Sequence, residues 1–395
     1  MIKSNKITYH DFRTPNNIRF GQDTFYTLPE EVKRFNANKA VIVSDKGILS
    51  TGLVDEAKKL LEHEGLTVTL FTDIQGEPSF SLLQNATREI EASKTDIVIG
   101  IGGGSAMDTA KTIAALLGKE DIQPYLSGNE TIPERTIPCI LLPTTSGTGA
   151  EVTMNAIFGD EEQSVKRGLV SPALLPDMAI IDPNLTLSCP PRVTAASGVD
   201  AFTHALESFV AVRANTLTKM YSEKAMELFP KHIHNAVQNG SNVDARIGMS
   251  LVSNYAGIAL ANAGVGAVHA LAYPLGGTYH IEHGVANALL LPFVFEVTGK
   301  TCTPEMVRVA ALLELGDFTD HPYEALNAIV TFLYQLLPDL DLPTSLEELG
   351  VDSNALPTLA EQAFKVTRLL SNTPYRLTEH KILEIYRNAF KGKNE

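Results

Sequence analysis

Three consecutive glycines separate an apolar run from an amphipathic run, and this junction constrains the fold more than any other part of the sequence. The apolar run is DIVIGIG, residues 96–102, and the chain continues as GGSAMDTAK, residues 103–111. The first run predicts a short buried strand and the second predicts a helix. Glycines at such a turn let an anion approach the backbone N–H groups at the helix start. The segment therefore predicts a parallel α/β sheet with a phosphate-binding turn, or a junction that needs glycine only for packing.

The glycine stretch does not match the dinucleotide fingerprint G-x-G-x-x-G. Gly100 and Gly102 occupy its first two positions, but Ser105 stands where its last glycine belongs. We expect Ser105 instead to be the N-cap of the new helix, with Asp108 completing a capping-box-like pair. A dinucleotide, if bound, must therefore be bound by a different glycine turn.

The first part of the chain alternates short apolar runs with amphipathic runs. The predicted strands are KAVIVSD, LTVTLFTD, DIVIGIG and IPCILLPTT, and a helical pattern follows each of the first three. This order predicts a parallel sheet with helices on both faces. Residues 154–171, MNAIFGDEEQSVKRGLVS, predict a small antiparallel hairpin because two short strands flank a polar DEEQ. We assign residues 1–187 to a Rossmann-like α/β nucleotide-binding domain with this antiparallel annex.

Beyond Pro183, Pro190 and Pro191 the pattern becomes that of long helices. Helical periodicity covers VTAASGVDAFTHALESFVAVRA, TKMYSEKAMELFPKHIHNAV, ARIGMSLVSNYAGIALANAG and VGAVHALAYPLGG, and it returns near residues 305–315, 323–337, 356–370 and 378–391. We assign residues 188–395 to an all-helical domain. A chain of 395 residues suits two domains, and the cleft between them is the expected ligand site.

Charge and cysteine content exclude several classes of function. The formal net charge of −14 would repel nucleic acid and anionic membrane surfaces. The three cysteines are far apart and form no CxxC motif, which predicts a reduced, cytoplasmic protein. The start MIKSNKITYHDF lacks the apolar segment of a signal peptide, and no apolar run reaches the ~20 residues that span a bilayer.

Polar residues also follow other strands of the predicted sheet. The fourth strand ends in LPTTSGTGAEVT, whose hydroxyls suit a phosphate or a ribose, although the segment could equally be a Ser/Thr-rich turn. Asp45 ends the first strand, where a carboxylate can accept hydrogen bonds from ribose hydroxyls and repel a 2′-phosphate. Its alternative role is a helix N-cap or a turn residue.

The helical half carries one carboxylate and three imidazoles that suit a divalent metal. Asp200 and His204 lie four residues apart and so project from one helix face. His269 lies on an apolar helix, where a buried imidazole without a partner costs free energy. His283 follows Pro274 and two glycines, at which we expect the helix to break and the chain to turn back. A set without thiolates favours Fe²⁺ or Zn²⁺; alternatively, each histidine hydrogen-bonds separately in the core.

The sequence resembles the iron-containing, group III alcohol dehydrogenase family over nearly its whole length. The resemblance rests on motifs in the family's order, namely GGGSAMDTAK, PTTSGTGAEVT, PDMAIIDP, GVDAFTHALE and HALAYPLGGTYHIEHGVANALLLP. It implies an N-terminal nucleotide-binding domain, a C-terminal helical domain, and a metal and a nicotinamide that meet in the cleft. It also explains the fingerprint mismatch, because this family binds the pyrophosphate with its GGGS loop.

The resemblance implies specific site residues. The implied metal ligands are Asp200, His204, His269 and His283. The implied cofactor residues are Asp45, Gly102, Gly103, Gly104, Ser105, Asp108, Thr144, Thr145, Thr148, Thr153, Asn155 and Lys166. An aspartate at position 45 resembles the family's mark of preference for NAD over NADP. Many members carry a further histidine near the substrate where this chain has Tyr273, so Tyr273 or His280 is expected to replace it.

The expected function is hydride transfer between a primary alcohol or diol, or its aldehyde, and NAD(H), with Fe²⁺ or Zn²⁺ as the metal. Alternatives are an oxo-acid reductase of the maleylacetate type, which needs cationic residues in the cleft, a dehydroquinate-synthase-like lyase, and a non-catalytic protein that binds nucleotide and metal. The resemblance also implies a homodimer or larger homo-oligomer, with TYHDFRTPNNIRFG as the candidate contact.

Overall fold

The fold follows the predicted change from alternating strands and helices to helices alone. The computed structural model describes residues 10–135, 137–160 and 165–393. The strands in these ranges are β1 Asn17–Phe20, β2 Lys39–Asp45, β3 Thr67–Ile74, β4 Ile97–Gly102, β5 Cys139–Pro143, β6 Asn155–Asp160, β7 Val165–Val170 and β8 Met178–Ile181. The helices are α1 Leu28–Arg34, α2 Lys46–Ser50, α3 Leu53–His63, α4 Phe80–Ala92, α5 Gly104–Leu116, α6 Gln123–Leu126, α7 Pro191–Val210, α8 Thr216–Gln238, α9 Val243–Ala263, α10 Ala267–Tyr279, α11 His283–Thr298, α12 Thr303–Leu312, α13 Pro322–Asp339, α14 Leu356–Phe364, α15 Thr367–Leu370 and α16 Glu379–Lys391.

Six strands form one parallel sheet in the order β1-β8-β5-β4-β2-β3. The predicted parallel sheet is thereby confirmed. Strand β4 is buried along its whole length and lies between β5 and β2. Because the carboxyl ends of parallel strands meet at one edge, this order brings the ends of β2, β4 and β5 together. Asp45, the glycine stretch and the Thr144 segment therefore lie at neighbouring strand ends.

The predicted hairpin is also present, as the antiparallel pair of β6 and β7. Its connecting residues 161–164 lie outside the described part of the chain, and so do residues 1–9 of the N-terminal segment.

The start of α5 differs from the prediction. The helix begins at Gly104 with Gly103 as its N-cap, and no side chain caps it. Ser105 is therefore already inside the helix, whose N-cap lies two residues earlier than the serine pattern predicted. The carboxylate of Asp108 turns instead to the backbone N–H of Ile157, at 3.0 Å, and to Lys111.

The predicted helix break at Pro274 is wrong. Helix α10 continues through Pro274 to Tyr279, and the chain turns at His280, whose φ of 54° is left-handed. Proline removes one helical N–H, but Leu271 and Leu275 on either side are fully buried in the helical core. Tertiary packing thus keeps a helix that local propensity would interrupt.

Helix α11 was not predicted, although it carries His283 at its first residue. Its residues 285–295 are all buried, including Leu289, Leu290 and Leu291. A helix buried all round shows no 3.6-residue period, so the pattern could not distinguish it from another apolar run.

Two sequence expectations concern membranes and disulfides. No single helix in the described ranges is both long enough and apolar enough to span a bilayer; α9 and α10 pass that test only as a pair bent by 100°. Cys139, Cys189 and Cys302 are all free thiols.

Candidate metal and cofactor site

Four side chains from three helices converge in the helical half. Each of Asp200, His204, His269 and His283 offers one ligand atom, and these atoms lie within 4.8 Å of one another. His204 Nε2 and His269 Nε2 each lie 3.7 Å from Asp200 Oδ1. That separation is too long for a hydrogen bond, but it suits donors that share one ion at ligand distances of about 2.0–2.2 Å.

The donor set fits a divalent cation. His269 Nε2 is buried and has no hydrogen-bond partner in the described part of the chain. Its other nitrogen, Nδ1, lies 2.6 Å from Glu207 Oε2, an arrangement that fixes the ring and leaves Nε2 facing Asp200. A buried nitrogen without a partner is costly, and a metal ion would satisfy it.

Protonation favours cation binding at this cluster. Burial lowers the pKa of His283 to about 3 and lowers the pKa of His204 as well, so both rings are neutral near pH 7. Burial acts to raise the pKa of Asp200, but the three surrounding imidazoles and the Asn287 amide hold it below its ordinary value. The site therefore presents one carboxylate and, from His204 and His283, two neutral imidazoles, which are the ligand forms that bind metals.

Sequence reasoning missed two residues that support the ligands. Glu207 binds His269 and also accepts a hydrogen bond from the backbone N–H of Val268 at 2.7 Å. Asn287 Nδ2 donates to Asp200 Oδ1 at 2.7 Å and lies 3.1 Å from His283 Nε2. Helical spacing was the available signal: Glu207 is one turn beyond His204, and Asn287 is one turn beyond His283.

The glycine stretch lies against the other predicted cofactor segments. A Cβ at Gly102, whose φ is +153°, would come within 2.7 Å of Ala106 Cβ and 3.3 Å of Asp45 Oδ2. A Cβ at Gly104 would meet the side chain of Thr148 at 2.8 Å. A larger residue at either position would collide with Ala106 or Thr148, so the glycines let the turn pack closely against these neighbours.

Asp45 caps a helix and also faces the glycine turn. Its Oδ1 accepts a hydrogen bond from the backbone N–H of Ile48 at 3.0 Å, which makes it the N-cap of α2. Its Oδ2 lies on the side of Gly102. The two roles that the sequence left open are therefore compatible, because each uses a different oxygen.

Lys111 is a buried lysine that connects α5 to the segment after β5. Its ammonium group is fully buried, lies 2.9 Å from Asp108 Oδ1, and donates hydrogen bonds to the carbonyls of Ala150 and Asn155. It also lies 3.4 Å from the hydroxyl of Thr153. These bonds tie α5 to the segment after β5, so Asp108, Thr153 and Asn155 have structural contacts in addition to their predicted cofactor role.

Two clefts join at the metal cluster. A cleft of about 390 Å³ contains all four candidate ligands, and a second, of about 580 Å³, runs along the glycine turn. The residues lining both are Asp108, Thr148, Ile157 and His283.

Most of the other predicted residues also lie in or beside these clefts. The second cleft contains Gly104, Ser105, Lys166 and His280, and the first contains Thr153, Asn155 and Tyr273. Gly103 lies beside Thr145, and Thr144 is buried with its backbone N–H bonded to the Gly102 carbonyl. Lys166 forms an ion pair with Glu77.

The first half has the parallel sheet of dinucleotide-binding proteins, and the helical half carries an Asp-His₃ cluster. This combination defines a metal- and dinucleotide-dependent oxidoreductase. The family model "Iron-containing alcohol dehydrogenase" matches residues 15–183, and "Fe-containing alcohol dehydrogenase family, C-terminal" matches residues 194–390. The chain belongs to the iron-containing alcohol dehydrogenase family. As such it is an NAD-dependent alcohol dehydrogenase of a family named for its iron.

Similar proteins support this assignment. The chain is 41% identical over 369 residues to long-chain-alcohol dehydrogenase 1 of Geobacillus thermodenitrificans, covering 92% of this chain and 93% of that protein. The crystal structure of a 1,3-propanediol oxidoreductase matches with a TM-score of 0.92 and 32% identity, covering 97% of this chain and 100% of the other. Sulfoacetaldehyde reductase from Bifidobacterium kashiwanohense, solved with NAD⁺, matches with a TM-score of 0.88 and 25% identity, covering 97% and 99%.

Proposed function

We propose that Asp200, His204, His269 and His283 hold the metal, and that the reaction takes place where the two clefts meet. The observation that carries this proposal is the position of His283, which lies in the ligand cluster and lines the cleft of the glycine turn. A dinucleotide bound along that turn would bring its nicotinamide to the metal-bearing end of the cleft.

Different residues of this chain would bind the metal, orient its ligands and bind the cofactor. Asp200, His204, His269 and His283 would hold a divalent ion, which would supply Lewis-acid polarisation of the substrate C–O group for hydride transfer at neutral pH. Glu207 and Asn287 orient the ligands, and the backbone N–H groups after Gly103 face the cofactor phosphates at the start of α5. Tyr273 lies beside the cluster, with its ring centroid 6.2 Å from that of His283, and positions the substrate. His280 lies on the cofactor side, exposed at the turn before α11.

The cofactor residues carry a further proposal, which is preference for NAD over NADP. Asp45 places a carboxylate beside the glycine turn, where a ribose would follow the pyrophosphate. A 2′-phosphate at that position would meet a like charge. Gly102, Gly103, Gly104 and Ser105 would bind the pyrophosphate, and the remaining binding residues would be Asp108, Thr144, Thr145, Thr148, Thr153, Asn155 and Lys166.

We propose a small primary alcohol, a diol or the corresponding aldehyde as the substrate. The complete Asp-His₃ set disfavours a non-catalytic protein, because such a protein would not need a metal cluster open to a second ligand cleft. A dehydroquinate-synthase-like lyase would produce no net NADH, and the assay below distinguishes that alternative.

We propose that the enzyme is a cytoplasmic homodimer built from domains 1–187 and 188–395. Strand β1 is at an edge of the sheet and exposes Ile18. Leu217 and Met220 on α8 are also exposed, close to Tyr221, on which Phe12 stacks at 5.8 Å. An edge strand and exposed apolar side chains suit a second copy of the chain. The three free thiols suit a reducing compartment. Sedimentation equilibrium tests the dimer, and a monomer would contradict it.

The decisive experiment combines metal analysis with an assay of NADH formation. Purified enzyme should contain about one equivalent of iron or zinc per chain and should form NADH stoichiometrically from primary alcohols. His269→Ala should lose the metal and turnover together. Its matched control is His380→Ala, which changes an exposed histidine on α16. Retention of metal and full turnover in His269→Ala would refute the ligand assignment.

A further inference from the structure

The metal-side cleft contains three arginines that the reaction as described does not use. Arg13, Arg213 and Arg368 line the same cleft as the metal ligands. In the part of the chain that the structure describes, none of the three forms an ion pair with a carboxylate. Six other arginines do, namely Arg19, Arg34, Arg135, Arg167, Arg192 and Arg308. Asp11 also lines the cleft but forms no ion pair with them. The cleft therefore offers three guanidinium groups that have no carboxylate partner among the described residues.

Arg368 lies next to a residue that reaches the metal cluster. Its Nη2 lies 3.2 Å, and the Tyr273 hydroxyl 3.3 Å, from the position that a Cβ on Gly168 would occupy. Tyr273 in turn lies against His283, with ring centroids 6.2 Å apart. Arg368 is thus separated from the ligand cluster by a single tyrosine side chain. A short substrate lying along Tyr273 would have one end at the metal and the other at this guanidinium.

Arg213 is held in place by a buried asparagine. Asn372 Oδ1 accepts a hydrogen bond from the backbone N–H of Arg213 at 3.2 Å, and its Nδ2 donates to the carbonyls of Ala263 and Val265 at 2.9 and 3.0 Å. Asn372 follows the helix that carries Arg368, so one side chain positions both arginine-bearing segments. These bonds fix the backbone at Arg213, while the side chains of Arg213 and Arg368 are exposed where they line the cleft and can reach a bound molecule.

The two guanidinium groups act on each other. Burial, and then the positive charge of Arg368, lower the pKa of Arg213 below its ordinary value. Both guanidinium groups line one cleft, and like charges that share a cleft without a paired carboxylate repel each other. An anion between them would remove that repulsion and form charge-assisted hydrogen bonds with both.

We propose that Arg213 and Arg368 form an anion subsite, and that the substrate is a short primary alcohol or aldehyde with a carboxylate or sulfonate at its far end. This inference rests on the proposed function, since it places the reacting end of that substrate at the metal. Arg13 lies at the rim, with its backbone held by Asn262, and adds positive charge along the approach. The cofactor phosphates do not account for these arginines, because the glycine turn lies in the other cleft.

The test compares an anionic substrate with a neutral one of equal length. We expect kcat/KM for 4-hydroxybutanoate to exceed that for 1,4-butanediol by about tenfold or more, and Arg368→Gln and Arg213→Gln each to reduce this ratio about 10- to 100-fold. Arg368→Lys should recover part of it, because the charge remains while the bidentate geometry is lost. Replacing the carboxylate by a sulfonate, in 3-hydroxypropane-1-sulfonate, determines which head group is preferred.

The matched control is Arg387→Gln, which changes an exposed arginine on α16 that lies outside the cleft and has no ion pair with any residue the structure describes. It should leave the ratio unchanged. A ratio that Arg368→Gln and Arg213→Gln do not alter would overturn the subsite, and so would a change in KM for NAD⁺ alone. Butanoate binding, measured by calorimetry, is independent of turnover: wild type should bind it at least tenfold more tightly than Arg368→Gln. Absence of NADH from every alcohol would refute the proposed function, while the binding comparison would still decide the subsite.

Discussion

The carboxylate of Glu207 contacts both the imidazole ring of His269 and the backbone of the helix that carries it. One oxygen lies 2.6 Å from His269 Nδ1, and the other accepts a hydrogen bond from the N–H of Val268 at 2.7 Å. Both groups are buried. The contact connects α7, which carries Asp200 and His204, to the start of α10, so the geometry of the ligand cluster depends on it.

Removing the charge of Glu207 should weaken metal binding. In Glu207→Gln the ring of His269 loses its anionic acceptor, and we expect the metal dissociation constant to rise about 10- to 100-fold. Competition with a chelator, followed by elemental analysis, measures this. Glu223→Gln, which changes a partly exposed glutamate on α8, is the control and should have no effect. An unchanged dissociation constant in Glu207→Gln would mean that Glu207 does not orient the ligand.

Changing Asp45 should separate its two roles. Asp45→Ala removes both the carboxylate beside the glycine turn and the cap of α2, whereas Asp45→Ser keeps a capping oxygen. Both variants should raise the ratio of kcat/KM for NADP to that for NAD, by about tenfold, because a like-charge repulsion is lost. Only Asp45→Ala should also lose about 1 kcal/mol of stability. If wild type uses both cofactors with equal efficiency, the preference is refuted.

Glu151 should make stability depend on pH. Burial raises the pKa of this glutamic acid to about 7, and one of its oxygens lacks a hydrogen-bond partner among the described residues. Because the folded pKa exceeds the unfolded value of 4.5, stability is greatest below pH 4.5 and is lost as pH rises through about 7. Glu151→Gln removes a penalty of about 3 kcal/mol at pH 8. Denaturant unfolding at pH 5 and pH 8 measures this: the variant should gain stability over wild type mainly at pH 8, and an equal effect at both values would contradict the assignment.

Lys111 should be a large contributor to the stability of the first half. Lys111→Met leaves the buried Asp108 carboxylate without its cation and two carbonyls without their donor, at an expected cost of about 3–5 kcal/mol. The double variant with Asp108→Asn should be more stable than the sum of the single changes predicts. Denaturation midpoints of the four proteins give the coupling. Lys119→Met, which changes a half-buried lysine in the loop after α5, serves as the control. Strictly additive effects would disprove the pairing.

The parallel sheet could be predicted because short apolar runs and glycine turns are local patterns. The same local patterns led to two wrong predictions of helix ends. Ser105 looked like a cap, but α5 starts one residue before it, and Pro274 looked like a break, but burial of its neighbours carries α10 onward. Helix α11 was missed because it is apolar on every face.

The sequence by itself determined which residue types were available: glycines after a strand, a carboxylate and an imidazole one helical turn apart, and two further histidines on an apolar background. These follow from spacing along a single element, which sequence order specifies. Only the tertiary structure decided that Glu207 meets His269, that Lys111 ties α5 to the next loop, and that Arg213 and Arg368 line the same cleft as the candidate metal ligands. Those pairs are far apart in the chain, and their proximity results from how the helices pack, which no local period encodes.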